Sequence, residues 1–282
     1  MQQLTLGYLT LNAPPAETID AAAAAGFASV GIRITGRRIA DPYAPVIGNR
    51  AAIADLKRRI ADTGIRLSNV TAYHLFPDVR YEHMQAVVDT TAELGAKILL
   101  AHSYVPIGSD VLGLFARYCE YAHERGIRIA LEFMRYSAIK SLQDAQRWLD
   151  AAAQPNAGHV FDPLHLDRCG HTPAEMASVD PHRIVFAQIC DASRGRADAT
   201  EEELLVEART GRLAPGDGDL PLHDYVDALP GNTEIEYEVP IPQHQALPVH
   251  ERARIARDRF ERFMAAHTAL AQRRATQASS SR

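Results

Sequence analysis

Four acid or amide side chains are predicted to stand at the ends of four β-strands, and together they indicate a metal site. Glu132 is the second-to-last residue of IRIALEF, Asp162 ends GHVFD, Gln188 lies near the end of RIVFAQICD, and Glu238 ends TEIEYE. Each strand is a short β-branched and aliphatic run, so each should be buried. A buried carboxylate is unfavourable unless it is paired, hydrogen-bonded or bound to a metal. Oxygen donors that converge from parallel strands suit a hard divalent cation, which predicts a metal-dependent enzyme.

Strand and helix patterns alternate along the whole chain and predict the frame that holds these residues. Helices that end at a glycine before the next strand recur at Gly26, Gly64, Gly95 and Gly126. We predict a single-domain α/β fold, the (β/α)8 TIM barrel, over residues 1–270, with a disordered polar tail at 271–282. An open doubly wound sheet is the alternative, although no glycine-rich phosphate turn follows the first strand. The eight predicted strands span 4–9, 28–34, 65–72, 97–103, 127–133, 158–162, 183–191 and 233–240.

In such a barrel the substrate meets the C-terminal ends of the strands. The four residues follow strands five to eight, which are neighbours in the ring, so their side chains are expected to converge on one ion. The alternative for each residue by itself is a hydrogen-bonded polar group at the barrel mouth. The segment 192–219, after strand seven, is long for such a connection and is expected to act as a lid.

Composition restricts the function classes. Hydrophobic residues make up 46% of the 282, charged residues 23%, and the net charge is −5. An acidic balance argues against a nucleic-acid partner, and no apolar run is long enough for a membrane span. The start, MQQLTLGYLTL, does not resemble a signal peptide. We read Cys119, Cys169 and Cys190 as free thiols and expect a cytoplasmic protein with a small-molecule substrate, which leaves a homo-oligomer open.

The chain resembles the xylose-isomerase-like barrel superfamily of sugar phosphate isomerases and epimerases over about residues 4–268. The motifs that carry the resemblance are LEF, FDPLHLDRCG, FAQICDA, RLAPGDGDLPL and YEVP. The resemblance implies that Glu132, Asp162, Gln188 and Glu238 bind one divalent ion, Mn²⁺ or Mg²⁺ first and Co²⁺ as an alternative. Many members have histidine where this chain has Gln188, and the glutamine form is similar to some 3-dehydroshikimate dehydratases.

The resemblance also implies roles for other residues. Glu132 and Glu238 are the candidate proton-transfer groups, since the family's epimerases use two such glutamates on opposite faces of the substrate. His165, in DPLH, would bind substrate or move a proton. Arg212, in RLAPGDG, would meet an anionic or polar substrate group. From their positions alone, further substrate-binding candidates near the strand ends are Arg33, His74, His102 and Arg135.

The leading hypothesis is a metal-dependent isomerase or epimerase of a small keto-sugar or related polyhydroxy ketone, acting through an enediolate. The alternative is a dehydratase, a lyase of a keto-polyol or keto acid such as an inosose or 3-dehydroshikimate, because both reactions begin with removal of the same α-proton. A phosphodiester hydrolase, known in the same superfamily, is disfavoured by the acidic charge. A sugar-binding barrel without activity is disfavoured by the complete set of four residues.

Overall fold

The structure of the protein is a computed structural model that describes residues 4–36 and 45–280. Its eight strands are parallel and close into a barrel in chain order, with β8 pairing to β1. This confirms the predicted TIM barrel. The strands are β1 (Leu4–Leu6), β2 (Ser29–Ile32), β3 (Arg66–Leu75), β4 (Ile98–Ser103), β5 (Arg128–Leu131), β6 (Ala157–Phe161), β7 (Ile184–Ile189) and β8 (Ile235–Tyr237).

Helices surround the barrel and include three short ones that the sequence did not predict, α1, α7 and α10. Within the described ranges, no helix combines the length and apolar character needed to cross a membrane. The helices are α1 (Tyr8–Leu11), α2 (Pro15–Ala24), α3 (Arg50–Thr63), α4 (Tyr81–Glu93), α5 (Ser109–His123), α6 (Leu142–Ala152), α7 (Pro163–Arg168), α8 (Pro173–Ala177), α9 (Glu201–Thr210), α10 (Leu222–Ala228) and α11 (Val249–Ser280).

The predicted glycine caps are present. Gly64, for example, has φ of 69° and donates its N–H to the carbonyl of Ile60 at the end of α3. A side chain is disfavoured in this left-handed conformation, which explains why glycine stands there. Gly26, Gly95 and Gly126 also have positive φ, so each helix turns back toward the next strand in the same way.

The alternation of side chains along the strands points the candidate residues into the barrel. A small apolar cluster, separate from the main core between strands and helices, includes Leu100, Ala130, Val160 and Phe186. Side chains two positions apart on a strand share a face. The residues two positions further along these strands are therefore directed to the same side, and they are His102, Glu132, Asp162 and Gln188.

The C-terminal segment differs from its expectation. A disordered tail was predicted from residue 271, but α11 continues to Ser280. Alanine, glutamine and arginine, which are frequent in this segment, favour helix. Arg274 also pairs with Asp227 at 2.9 Å, which holds the extension against α10.

The connection after β7 is fastened by one buried aspartate. Asp191 follows β7, and its carboxylate accepts hydrogen bonds from the N–H groups of Ala192, Gly216, Gly218 and Leu220 at 2.9–3.1 Å. A Cβ at Gly218 would lie 2.6 Å from Oδ1 of Asp191, so glycine is required where the loop passes the carboxylate. Asp191 thereby sets the path of the loop that carries α9.

We expect Asp191→Ala to destabilise the protein by about 3 kcal/mol, because it leaves several N–H donors without their acceptor. Urea unfolding followed by circular dichroism measures this change. Asp219→Ala is the matched control, since Asp219 is exposed in the same loop, and its effect should stay within about 0.5 kcal/mol. Equal stability of the two variants would contradict the role given to Asp191.

Candidate active site and metal centre

A cavity opens at the C-terminal ends of the strands and holds most of the candidate residues. It is open to solvent, and the space between its lining atoms, the solvent-exposed part included, amounts to about 550 Å³. Lining residues that the sequence analysis had proposed are Arg33, His74, His102, Glu132, His165, Gln188, Arg212 and Glu238.

Glu132, directly after β5, lies against two histidines. Its Oε2 is 2.5 Å from Nε2 of His102, whose Nδ1 is 3.2 Å from Nε2 of His74. Burial by itself opposes ionisation of Glu132, but the charge and hydrogen bond of His102 and the charge of His165 outweigh it, so the pKa of Glu132 falls below its ordinary value. Glu132 is therefore held as a carboxylate, the form that binds a cation or accepts a proton.

Arg212 lines the cavity and contacts two of the candidate ligands. Its Nη1 pairs closely with Asp162, and its Nη2 is 3.3 Å from Oε2 of Glu238. Its Nε donates to the carbonyl of Ala208 at 2.8 Å, and Nη1 also lies 3.2 Å from Sγ of Cys190. The guanidinium is thus engaged with the protein itself, and because Arg212 also lines the cavity, its contact with a substrate group stays a prediction.

The two carboxylates beside Arg212 respond differently to it. Burial raises the pKa of Glu238 well above its ordinary value, and Arg212 offsets only part of that effect. Burial acts in the same direction on Asp162, but the charge and hydrogen bond of Arg212 and the charge of His165 lower its pKa below the ordinary value. Asp162 is therefore the firmer anion of the two, and it also caps α7 through a 2.8 Å bond from Leu164 N–H.

Gln188 presents an amide oxygen for which no partner is found among the described residues. Its Nε2 donates to Oε1 of Glu236 at 3.1 Å, whereas its buried Oε1 accepts nothing. Glu236, inside the barrel on β8, also accepts from Asn69 Nδ2 at 2.5 Å. Burial raises the pKa of Glu236 to about 7, against the lowering effect of these two donors.

The donor set fits a divalent cation. One ligand atom each from Glu132, Asp162 and His165 lies within 4.8 Å of the other two, and all three residues are buried. The unpartnered oxygen of Gln188 adds a neutral donor at the same cavity. Carboxylate, imidazole and amide donors together suit Mn²⁺, Mg²⁺ or Zn²⁺. The sequence analysis expected His165 to act on the substrate. Its ring nitrogen is also one of the three donor atoms that lie close enough together to share a metal ion.

Of two arginines that the sequence analysis proposed to bind substrate, one lines the cavity and the other does not. Arg135 does not line this cavity; it lies along a separate one beside Gly195, and its Nη1 donates to the carbonyl of Ala197 at 2.9 Å. The residue follows β5 by four positions, so its side chain has left the barrel axis. Arg33, in contrast, reaches the cavity and donates to the hydroxyl of Tyr8 at 2.9 Å.

The sequence analysis missed several cavity residues. Helix α9 contributes Leu205 and Arg209, so the long loop after β7 forms one wall of the cavity. Tyr136 packs its ring 5.7 Å from that of His165. The helical spacing of Leu205 and Arg209, four residues apart, was the available signal, but the direction in which α9 faces depends on how Asp191 and Arg212 fold the loop.

Comparison with known proteins gives one family match. A family model described as xylose isomerase-like TIM barrel matches residues 19–263. Curated relatives include a 3-dehydroshikimate dehydratase of Pseudomonas aeruginosa, 26% identical over 239 residues, which cover 79% of this chain and 35% of that protein. An inosose isomerase of Bacillus velezensis is 22% identical over 190 residues, 63% of this chain and 65% of the relative. The chain thus spans about a third of the length of the dehydratases it matches.

Solved structures share the fold. The IOLI protein with a bound zinc atom has a TM-score of 0.78 and 17% identity, over 95% of this chain and 99% of that one. A D-allulose 3-epimerase from Methylomonas sp. in complex with D-allulose has a TM-score of 0.67 and 17% identity, over 94% and 96% of the two chains.

Proposed function

The chain belongs to the xylose isomerase-like TIM barrel family, and we propose that it is a divalent-metal-dependent enzyme acting on a small polyhydroxylated ketone or keto acid. Its first step is removal of the proton next to the carbonyl. The observation that carries the proposal is the grouping of Glu132, Asp162 and His165 with the unpartnered oxygen of Gln188 beside one cavity.

We propose Glu132, Asp162, Gln188 and Glu238 as the ligands, with His165 beside them. A bound divalent cation would polarise the carbonyl as a Lewis acid. Arg212 holds Asp162 and Glu238 in place and offsets part of their charge. With Glu238 ionised beside a bound cation, the three carboxylates and Arg212 would sum to two negative charges, the complement of one divalent ion.

Glu132 and Glu238 are proposed to move the protons, since both line the cavity and come from different strand ends. His102, in contact with Glu132 at 2.5 Å, orients that carboxylate. Return of the proton to another carbon, or to the opposite face of the same one, completes an isomerisation or epimerisation, which we propose as the reaction of a keto-sugar.

Dehydration of a keto acid is the second candidate, and two observations favour it. Nε2 of His165 lies 3.9 Å from Oε1 of Glu132, beside the group proposed to remove the α-proton, and an imidazole that takes up this proton could deliver it to a departing hydroxyl. Arg209, on the wall formed by α9, supplies a guanidinium suited to a substrate carboxylate. The curated relatives named as 3-dehydroshikimate dehydratases support the same outcome.

The experiment that tests the proposal follows substrate candidates by NMR in D₂O after reconstitution with Mn²⁺. We expect one ion per chain and exchange of deuterium at the α-carbon of a keto-sugar, an inosose or 3-dehydroshikimate. Retention of all oxygens supports isomerisation or epimerisation, whereas an unsaturated product supports dehydration. A protein that binds no stoichiometric divalent ion and exchanges no α-proton would end the proposal.

A further inference from the structure

We propose that Glu236 is a positioning residue that turns the amide oxygen of Gln188 toward the metal site. The inference rests on the proposed function, because it assigns Gln188 a cation to face. Glu236 does not itself line the cavity. It is fully buried inside the barrel on β8, two residues before Glu238.

The orientation of Gln188 follows from a chain of directed hydrogen bonds. The hydroxyl of Thr71 donates to Oδ1 of Asn69 at 3.0 Å, which leaves Nδ2 of Asn69 to donate to Oε2 of Glu236 at 2.5 Å. Nε2 of Gln188 donates to Oε1 of the same carboxylate at 3.1 Å. Each side chain in this series of hydrogen bonds therefore determines which end of the following side chain donates.

A carboxylate accepts hydrogen bonds and, when ionised, donates none. The donors of Asn69 and Gln188, one on each oxygen of Glu236, favour that ionised form against the effect of burial. The opposite orientation of the Gln188 amide would place its oxygen against a carboxylate oxygen and present N–H groups to a cation. Both contacts are repulsive. Glu236 therefore selects the orientation in which the oxygen of Gln188 is available, and this oxygen has no partner among the described residues.

The neighbouring strands leave space for this carboxylate. A Cβ at Gly31, on β2, would lie 2.6 Å from Oε2 of Glu236 and 2.7 Å from Oδ1 of Asn69. A Cβ at Gly7 would lie 3.0 Å from Oε1 of Glu236. A buried carboxylate is unfavourable in itself, and here one glycine on β2 and one directly after β1 leave room for a carboxylate whose hydrogen bonds lead to Gln188.

The test is a double-mutant cycle on Mn²⁺ affinity, measured by calorimetry on the metal-free full chain. We expect Glu236→Gln to weaken binding about tenfold or more, as for other groups that orient metal ligands, because an amide at 236 that accepts from Asn69 turns its own N–H toward Gln188 and favours the orientation in which the oxygen of Gln188 faces away from the ion. In a Gln188→Ala background the same change should have no further effect. Glu234→Gln is the matched control, since Glu234 directly precedes β8 but pairs with Arg66 at 2.8 Å.

If Glu236→Gln does not fold, Glu236→Asp replaces it in the test. Aspartate keeps the charge, but its side chain is one methylene group shorter, so the carboxylate lies farther from Gln188. We again expect a tenfold loss that disappears in the Gln188→Ala background. An equal loss in both backgrounds, or none in either, would overturn the inference while Mn²⁺ binding by the unchanged protein leaves the proposed function standing. Failure of the unchanged protein to bind Mn²⁺ would overturn both.

Discussion

Glu238→Gln is expected to lower kcat by about a thousandfold or more, which corresponds to roughly 4 kcal/mol of transition-state stabilisation. Glu238 is proposed both as a metal ligand and as one of the two proton-transfer groups, and glutamine cannot accept a proton at neutral pH. The substitution is nearly isosteric, so the hydrogen-bonding reach toward Arg212, 3.3 Å away, is retained. Steady-state rates on the substrate identified by NMR, measured at saturating Mn²⁺, give this change.

Glu234→Gln serves as the control for that prediction. Glu234 directly precedes β8, four residues before Glu238, and it contacts Arg66 and does not line the cavity. Its replacement should leave kcat within about threefold of the unchanged enzyme. Near-normal turnover of Glu238→Gln with unchanged metal content would remove Glu238 from the mechanism.

Arg212→Ala is expected to lower the free energy of unfolding by about 3–5 kcal/mol, the range for removing one partner of a buried ion pair. The change leaves Asp162 and Glu238 buried without their shared cation. Mn²⁺ should recover part of the loss, because a ligand that binds only the folded state stabilises it. Chemical unfolding with and without Mn²⁺ measures both effects.

Arg259→Ala is the matched control. Arg259 pairs with Asp217 at 2.9 Å, but both side chains are more than 40% exposed, so the change should cost no more than about 1 kcal/mol. If Arg212 instead meets the substrate, as the sequence suggested, Arg212→Ala would raise KM and leave stability close to that of Arg259→Ala. The two roles of Arg212 are therefore separated by one pair of variants.

Local sequence patterns were sufficient to predict the barrel of this protein. Short apolar runs alternate with amphipathic segments, and glycines such as Gly64 end helices in the left-handed conformation. These signals depend on neighbours within a few residues. They predicted eight strands, the closed barrel and the positions of Glu132, Asp162, Gln188 and Glu238 at or beside the strand ends.

What surrounds those four residues was decided by the tertiary structure, because their partners are distant in the chain. Arg212 reaches Asp162 across 50 positions, and Gln188 reaches Glu236 across 48. The sequence shows that Arg212 is a cation near the site, but whether it faces a substrate or two carboxylates depends on how Asp191 folds the loop. The alternation of a strand likewise places Glu236 inside the barrel without identifying what it binds. The residue types and their strand ends were thus determined locally, whereas the orientation of each donor followed from contacts that exist only once the barrel is closed.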